Sequence, residues 1–164
     1  MPDLSAQQVM SCNYLNEGCN GGWSIFHGNF YENAALVEES CAQYTGEAGG
    51  CANLSGCKGV ARVSRSYFLS DMSEQGIQRE ILMNGMVDAN IDSPLGHTTF
   101  SEGVLGKSYS NGAPLDVPNH VIAILGWGEE NGVKYWLTRS AYGTTFGSSG
   151  DIKIERGINL FLIE

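Results

Sequence analysis

Two strongly β-patterned segments in the carboxyl half constrain the fold of this chain more than any other feature of its sequence. Branched and aromatic residues dominate the segment from His120 to Trp127 and a second one from Val133 to Arg139. Asn131-Gly132 lies between them and is a typical turn dipeptide. His120 begins the first strand, directly after Asn119, and is therefore the first candidate for a functional residue.

The rest of the carboxyl half continues this pattern of short strands and turns. Three more strands are predicted at 86–91, 151–155 and 160–163, with turn signals at Asn111-Gly112 and Ser149-Gly150. Residues 85–164 are therefore expected to form an antiparallel sheet or barrel.

The first 60 residues show helical patterns instead. Ser5 and Gln8 have the form of a capping box, which predicts a short helix ending near Cys12. After Gly21-Gly22, apolar residues recur at helical intervals and predict a second helix with one apolar face, formed by Trp23, Phe26, Phe30 and Ala34.

A third helix is predicted from Ser73 to Asn84, with a stop at Gly85 and an apolar stripe of Ile77, Ile81 and Leu82. The 164 residues, 42% of them apolar, are enough for one globular domain with a core of its own.

The five cysteines crowd one third of the chain, among glycine, asparagine and serine: Cys12, Cys19, Cys41, Cys51 and Cys57. Such clustering favours disulfides. A zinc site is the competing interpretation, but there is no Cys-x-x-Cys pair and no histidine at a suitable spacing. An odd number leaves one cysteine free or paired outside the chain. Asn53-Leu54-Ser55 is an N-glycosylation sequon, and together these features predict a secretory history, lysosome-like or extracellular.

The net charge of −9 and the pI near 4.7 disfavour binding to nucleic acid or to anionic lipid. No stretch approaches the roughly 20 apolar residues that a membrane span needs. The first residues are too polar for a signal peptide, so the chain is expected to be either intracellular or cut from a longer precursor. No metal or cofactor is predicted.

Three groups of residues together resemble the papain-like cysteine peptidases. They are Leu4–Cys12 followed by Gly18–Gly22; Asn119-His120 leading to Gly126-Trp127-Gly128; and Tyr135-Trp136 leading to Gly143, Gly147, Gly150 and Arg156-Gly157. Within the family, the cathepsin C (dipeptidyl peptidase I) type is most similar, through the cysteine spacing, Leu36–Glu39 and Tyr44–Gly46.

This resemblance implies an α+β fold with two lobes inside one peptidase domain, residues 1–164. Residues 1–60 would be the remnant of a helical, disulfide-linked left lobe and residues 85–164 an antiparallel β-barrel right lobe. The amino-terminal part with the central helix is expected to be missing. The implied disulfides are Cys12–Cys51 and Cys41–Cys57. Cys19 matches a cysteine that pairs with one just upstream of the nucleophile, in the stretch that this chain lacks.

The resemblance also assigns candidate site residues. His120 takes the position of the imidazole that activates a cysteine thiolate. Ser140 stands where the family has the asparagine that orients this histidine, and Tyr142 replaces the tryptophan that shields their bond. A serine is shorter, so this bond is expected to be weakened or lost.

Gly21 and Gly22 match glycines that pair with an extended substrate, and Asn119 is grouped with them as a substrate-binding candidate. An equally good interpretation of the two glycines is a tight turn before the second helix. His27 and His97 are not expected to have a functional role.

Two functions follow from these observations. In the first, the chain is a catalytically inactive homologue that serves as a structural or binding component of a larger assembly. In the second, it is the histidine-bearing chain of a cleaved, active cysteine peptidase whose nucleophile lies on a companion chain. Both require a companion polypeptide that completes the helical lobe, and the remnant groove could still bind a peptide. An unrelated β-rich binding protein is a third interpretation.

Overall fold

The computed structural model describes residues 2–93, Phe100, 102–110 and 117–164. The chain divides into two units, Met1–Phe68 and Leu69–Glu164, which are described in turn. The turn signal at Asn111-Gly112 and the histidine His97 lie outside the described residues.

The first unit begins with helix α1, Ala6–Cys12, as its capping residue predicts. The Ser5 hydroxyl accepts a hydrogen bond from the backbone N–H of Gln8 at 3.0 Å and therefore stabilises a free amide at the helix start. The second half of the predicted capping box is wrong. The buried Gln8 side chain instead donates to the carbonyl of Ala35 and accepts from the amide of Val37, so it ties α1 to the strand that follows.

Helix α2, Ser24–Asn33, lies where its apolar spacing predicts it. Its buried residue is Tyr31, which is fully inaccessible, and not the predicted stripe. Trp23, just before the helix, and Phe26 are 46% and 42% exposed. The predicted apolar face is therefore only partly covered within this unit, since Phe30 and Ala34 are of intermediate burial.

Two short strands and two disulfides complete the first unit. Strand β1, Leu36–Val37, pairs antiparallel with β2, Gly59–Ala61; neither was predicted. The disulfides are Cys12–Cys51 and Cys41–Cys57, the same two pairs that the resemblance implies.

The second unit begins with helix α3, Glu74–Asn84. Ser73 caps it by accepting from the amide of Gly76, and Gly85 ends it with a φ of 98°, as predicted. Ile77 is buried in the core, but Leu82 is 76% exposed, so its place in the apolar stripe was predicted wrongly.

The rest of the unit is a five-stranded sheet in the order β3-β5-β6-β7-β4. The strands are β3, Val87–Ile91; β4, Val104–Leu105; β5, His120–Glu130; β6, Val133–Arg139; and β7, Asp151–Glu155. Their pairings are antiparallel except for β4 with β7, which is parallel and was not expected. Within the part of the chain that the structure describes, these strands form no closed barrel.

The predicted strand at 160–163 is also wrong, because residues Leu160–Leu162 form a short kinked turn. Asn159, Phe161 and Leu162 all have positive φ, which an extended strand cannot accommodate. The Glu164 carboxylate accepts hydrogen bonds from the amides of Gly157 and Asn159 and closes the segment into a loop.

The core of the second unit lies between one face of the sheet, α3 and the turn at Leu160–Leu162. Trp136, Phe161, Ile91, Leu105 and Ile154 are fully inaccessible there. Alternate residues of β6 and β7 point into this core, which is why these strands show a period of two in the sequence. Within the described ranges, every helix is too short or too polar to cross a bilayer.

Candidate active site

His120 occupies the first position of β5, where the sequence predicts it. Its backbone lies opposite Ile91 of β3, and the amide of the preceding Asn119 donates to the Ile91 carbonyl at 2.9 Å. Ile91 is fully buried, so the backbone that carries the histidine is anchored to the core of the unit. The His120 side chain itself is half-buried.

Ser140 follows directly after β6, and two interactions fix the end of that strand. Thr138, fully buried, donates through its hydroxyl to the carbonyl of Ile152 on β7 at 3.1 Å. Arg139 makes a two-pronged ion pair with Asp151, at 2.6 and 2.9 Å. The backbone that carries Ser140 is therefore positioned by the sheet and not by a flexible loop.

The two candidate residues meet. The Ser140 hydroxyl oxygen lies 3.4 Å from Nε2 of His120, and Ser140 is only 8% exposed. This distance is longer than the ~2.8 Å of a strong hydroxyl hydrogen bond, so the contact is weak. The structure thus brings together the residues that the resemblance pairs, although their catalytic roles remain predictions.

Tyr142 covers the same histidine from one side. Its ring stacks on that of His120 with a centroid distance of 5.3 Å and an angle of 11° between the planes. Phe146, 8% exposed, packs edge-on against Tyr142 at 5.1 Å and supports it from behind. Stacked aromatic rings attract each other by dispersion and, when offset, by electrostatics between their π-systems. The stacking of Tyr142 therefore restrains the plane of the His120 imidazole.

Burial in these surroundings lowers the pKa of His120 below its ordinary value, because desolvation penalises the charged imidazolium. A papain-like site depends on the charged form of the ring, an imidazolium that a neighbouring thiolate stabilises. The arrangement around His120 therefore favours the neutral ring.

The Asn119 side chain is engaged with the segment that follows β3. Its amide nitrogen donates to the Asp92 carboxylate at 2.9 Å, and its oxygen accepts from the amide of Ser93 at 2.8 Å. These bonds give Asn119 a structural task, which the sequence alone did not indicate because the partners lie more than 25 residues away. Its role in substrate binding stays a prediction.

Gly21 and Gly22 belong to the first unit, where a close contact explains the second one. The Asn16 side chain bonds the backbone of Trp23, accepting from its amide at 2.9 Å and donating to its carbonyl at 3.3 Å. A Cβ on Gly22 would overlap this side chain. Gly22 is thus required for the turn into α2, as the turn interpretation holds, while substrate pairing stays untested.

Three further residues of the first unit were considered from the sequence. Cys19 is exposed and unpaired, with its sulfur 3.5 Å from that of Met10. Asn53 of the sequon lies in a 3₁₀ helix, Cys51–Leu54. His27 packs against Tyr31 on α2, with ring centroids 5.0 Å apart.

Comparison with known proteins places this arrangement in a family. The family described as "Papain family cysteine protease" matches residues 1–164. Cysteine proteinase 3 of Entamoeba histolytica is 32% identical over 95% of this chain and 50% of its own length. Cathepsin C of Schistosoma mansoni is 27% identical over 95% of this chain and 37% of its own length.

Solved structures agree with the fold. Digestive procathepsin L2 proteinase from the larval midgut of Tenebrio molitor superposes with a TM-score of 0.87 and 27% identity, over 99% of this chain and 51% of that one. The chain spans about half the length, or less, of the curated relatives named above. The match over all 164 residues and the fold together show that this chain belongs to the papain family of cysteine proteases.

Proposed function

We propose that this chain is a catalytically inactive, cathepsin C-like member of the papain family that serves as a structural or binding component of a larger assembly. The observation that carries the proposal is the contact between His120 and Ser140. At 3.4 Å, a serine hydroxyl orients the ring less firmly than an asparagine carbonyl in the family's arrangement would.

The cysteines of these 164 residues determine where a nucleophile could lie. Four of them are bonded in Cys12–Cys51 and Cys41–Cys57 and hold no thiol. Cys19 is the free one, and by resemblance it matches a disulfide cysteine of the family and not its nucleophile. A thiolate for His120 would therefore have to come from outside these 164 residues.

That requirement defines the alternative, the histidine-bearing chain of a cleaved, active cysteine peptidase. The exposed aromatic surface of the first unit favours it, since Tyr14, Trp23 and Phe26 are 82%, 46% and 42% exposed. Burying one such side chain contributes about 1.5–3 kcal/mol of free energy, so a complex with a companion that covers these side chains would be considerably stabilised. A companion linked through Cys19 could carry a nucleophile.

One purification distinguishes the two. The protein is isolated with any natural partner, and intact masses are measured without and with reduction. We expect that the assembly neither turns over dipeptidyl fluorogenic substrates nor takes up a thiol-directed affinity label. The His120→Gln variant is the matched control for any residual activity, and Cys19→Ser tests a disulfide to a companion. Labelling of a companion cysteine together with turnover that His120→Gln abolishes would establish the peptidase instead.

A secretory location, lysosome-like or extracellular, belongs to the same proposal. Two disulfides support it, since such bonds persist in oxidising compartments.

A further inference from the structure

The contact between Ser140 and His120 carries information about where the ring proton lies. A neutral imidazole has one N–H donor and one acceptor nitrogen. The asparagine oxygen of the family's arrangement can only accept, so it requires the proton on the nitrogen that faces it. A serine hydroxyl can donate or accept, and the nitrogen that faces it here is Nε2.

The surroundings of Ser140 decide between these two directions. Ser140 is 8% exposed, and its only hydrogen-bond partner among the described residues is Nε2 of His120. If Ser140 accepted from Nε2–H, its own proton would be buried without an acceptor. If it donates, the proton is satisfied and only oxygen lone pairs remain unused. A buried donor without an acceptor is the costlier of the two arrangements.

The ring is also held neutral and in one plane. Burial lowers the pKa of His120, so near neutral pH the ring has a single proton to place. The stacked Tyr142 ring, backed by Phe146, opposes the rotation that would exchange the two nitrogens.

We infer that Ser140 donates its hydroxyl proton to Nε2 of His120 and thereby holds the ring in the tautomer with its proton on Nδ1. Ser140 is in this sense a positioning residue, and it selects the tautomer opposite to the one that an asparagine would select. A thiol supplied to the other side of the ring would meet an N–H and not a lone pair, so it could not transfer its proton before the tautomer changed. The inference rests on the proposed function, because it concerns the same histidine and gives a physical reason for its inactivity.

The test is the ¹⁵N spectrum of the histidine ring. The whole protein, with any polypeptide that accompanies it, is labelled with ¹⁵N-histidine and recorded above pH 7, and the His120→Gln variant assigns the His120 signals. We expect Nε2 at an acceptor-type shift and Nδ1 at a protonated shift in the natural protein. Ser140→Thr keeps a hydroxyl and should keep this pattern, whereas Ser140→Asn should exchange the two shifts.

Protonated Nε2 in the natural protein would overturn the inference, and so would an unchanged tautomer in a folded Ser140→Asn variant. If Ser140→Asn does not fold, the natural protein and Ser140→Thr decide on their own. Peptidase turnover is measured on the same samples. Turnover with the proton on Nδ1 would refute the proposed inactivity but leave the tautomer assignment standing. Inactivity with the proton on Nε2 would refute the tautomer assignment but leave the proposed inactivity standing.

Discussion

Tyr31 offers the sharpest test of how the first unit is packed. Its side chain is fully inaccessible, and among the described residues its hydroxyl has no hydrogen-bond partner. Burial raises the pKa of Tyr31 to about 12, as expected for a hydroxyl removed from water. The ring is held between His27 at 5.0 Å and Phe30 at 4.9 Å, so removing the oxygen leaves the aromatic packing in place.

The perturbation is Tyr31→Phe. A buried hydroxyl without a partner costs about 1–3 kcal/mol, so its removal should raise the free energy of unfolding by about 1 kcal/mol after the small loss of volume. Most substitutions of a buried residue act in the opposite direction, which makes the sign informative. The assay is urea unfolding followed by tyrosine and tryptophan fluorescence, with disulfides intact.

Tyr14→Phe is the matched control, because Tyr14 is 82% exposed and its loss of a hydroxyl should change the free energy of unfolding by less than about 0.5 kcal/mol. A loss of 1 kcal/mol or more in Tyr31→Phe would refute the reasoning. It would show that the hydroxyl has an acceptor that these residues do not provide.

Three further predictions concern the second unit. Tyr142→Ala removes the ring stacked on His120, so solvent reaches the imidazole and its pKa should rise toward the ordinary value, while Tyr142→Phe should leave the pKa nearly unchanged; an NMR titration measures both. As the pH falls through the ordinary histidine pKa of 6.5, the chain should lose stability, because unfolded His120 then binds a proton more readily than folded His120, whose pKa is lowered. His120→Gln should reduce this slope in thermal unfolding; an unchanged slope would contradict the assignment. Gly147→Ala should lower the free energy of unfolding by about 1–3 kcal/mol in the same urea assay, since φ is +53° and the new Cβ would overlap the Asp151 carbonyl. Gly126→Ala is the matched control and should be tolerated, because no other group lies near its new Cβ.

Local signals in the sequence predicted much of this fold. The Ser5 cap marks the start of α1 correctly, because a side-chain oxygen at that position satisfies a helix amide whatever the surroundings. Strands β5 and β6 were predicted from their branched and aromatic residues and from the turn dipeptide between them. The turn is a local feature too, since Asn131 and Gly132 have φ of 51° and 80°.

The failures concern side-chain contacts that hydrophobic periodicity does not report. The segment 160–163 has the composition of a strand, but the Glu164 carboxylate bonds the amides of Gly157 and Asn159 and imposes a loop. Leu82 continues a helical stripe in the sequence, yet α3 uses mainly Ile77 for its core contact.

The candidate site divides in the same way. The position of His120 at a strand start was visible in the pattern, but its meeting with Ser140 came only from the family resemblance, because 20 residues separate the two. The stacking of Tyr142 on the ring and the engagement of Asn119 with Asp92 depend on side-chain directions that no spacing encodes.

The two units differ in what holds them together, and this bears on where the protein is stable. The described part of the second unit has a continuous apolar core, whereas the described residues of the first unit that are apolar and buried are Cys12, Tyr31, Val37 and Ala42. By the chain-entropy estimate, the disulfide that spans 39 residues stabilises the first unit by about 4 kcal/mol and the one that spans 16 residues by about 3 kcal/mol. A unit with so small a core depends on such bonds. The proposed secretory location is therefore also a folding requirement, since reducing conditions would remove the main constraint on the first unit while leaving the core of the second intact.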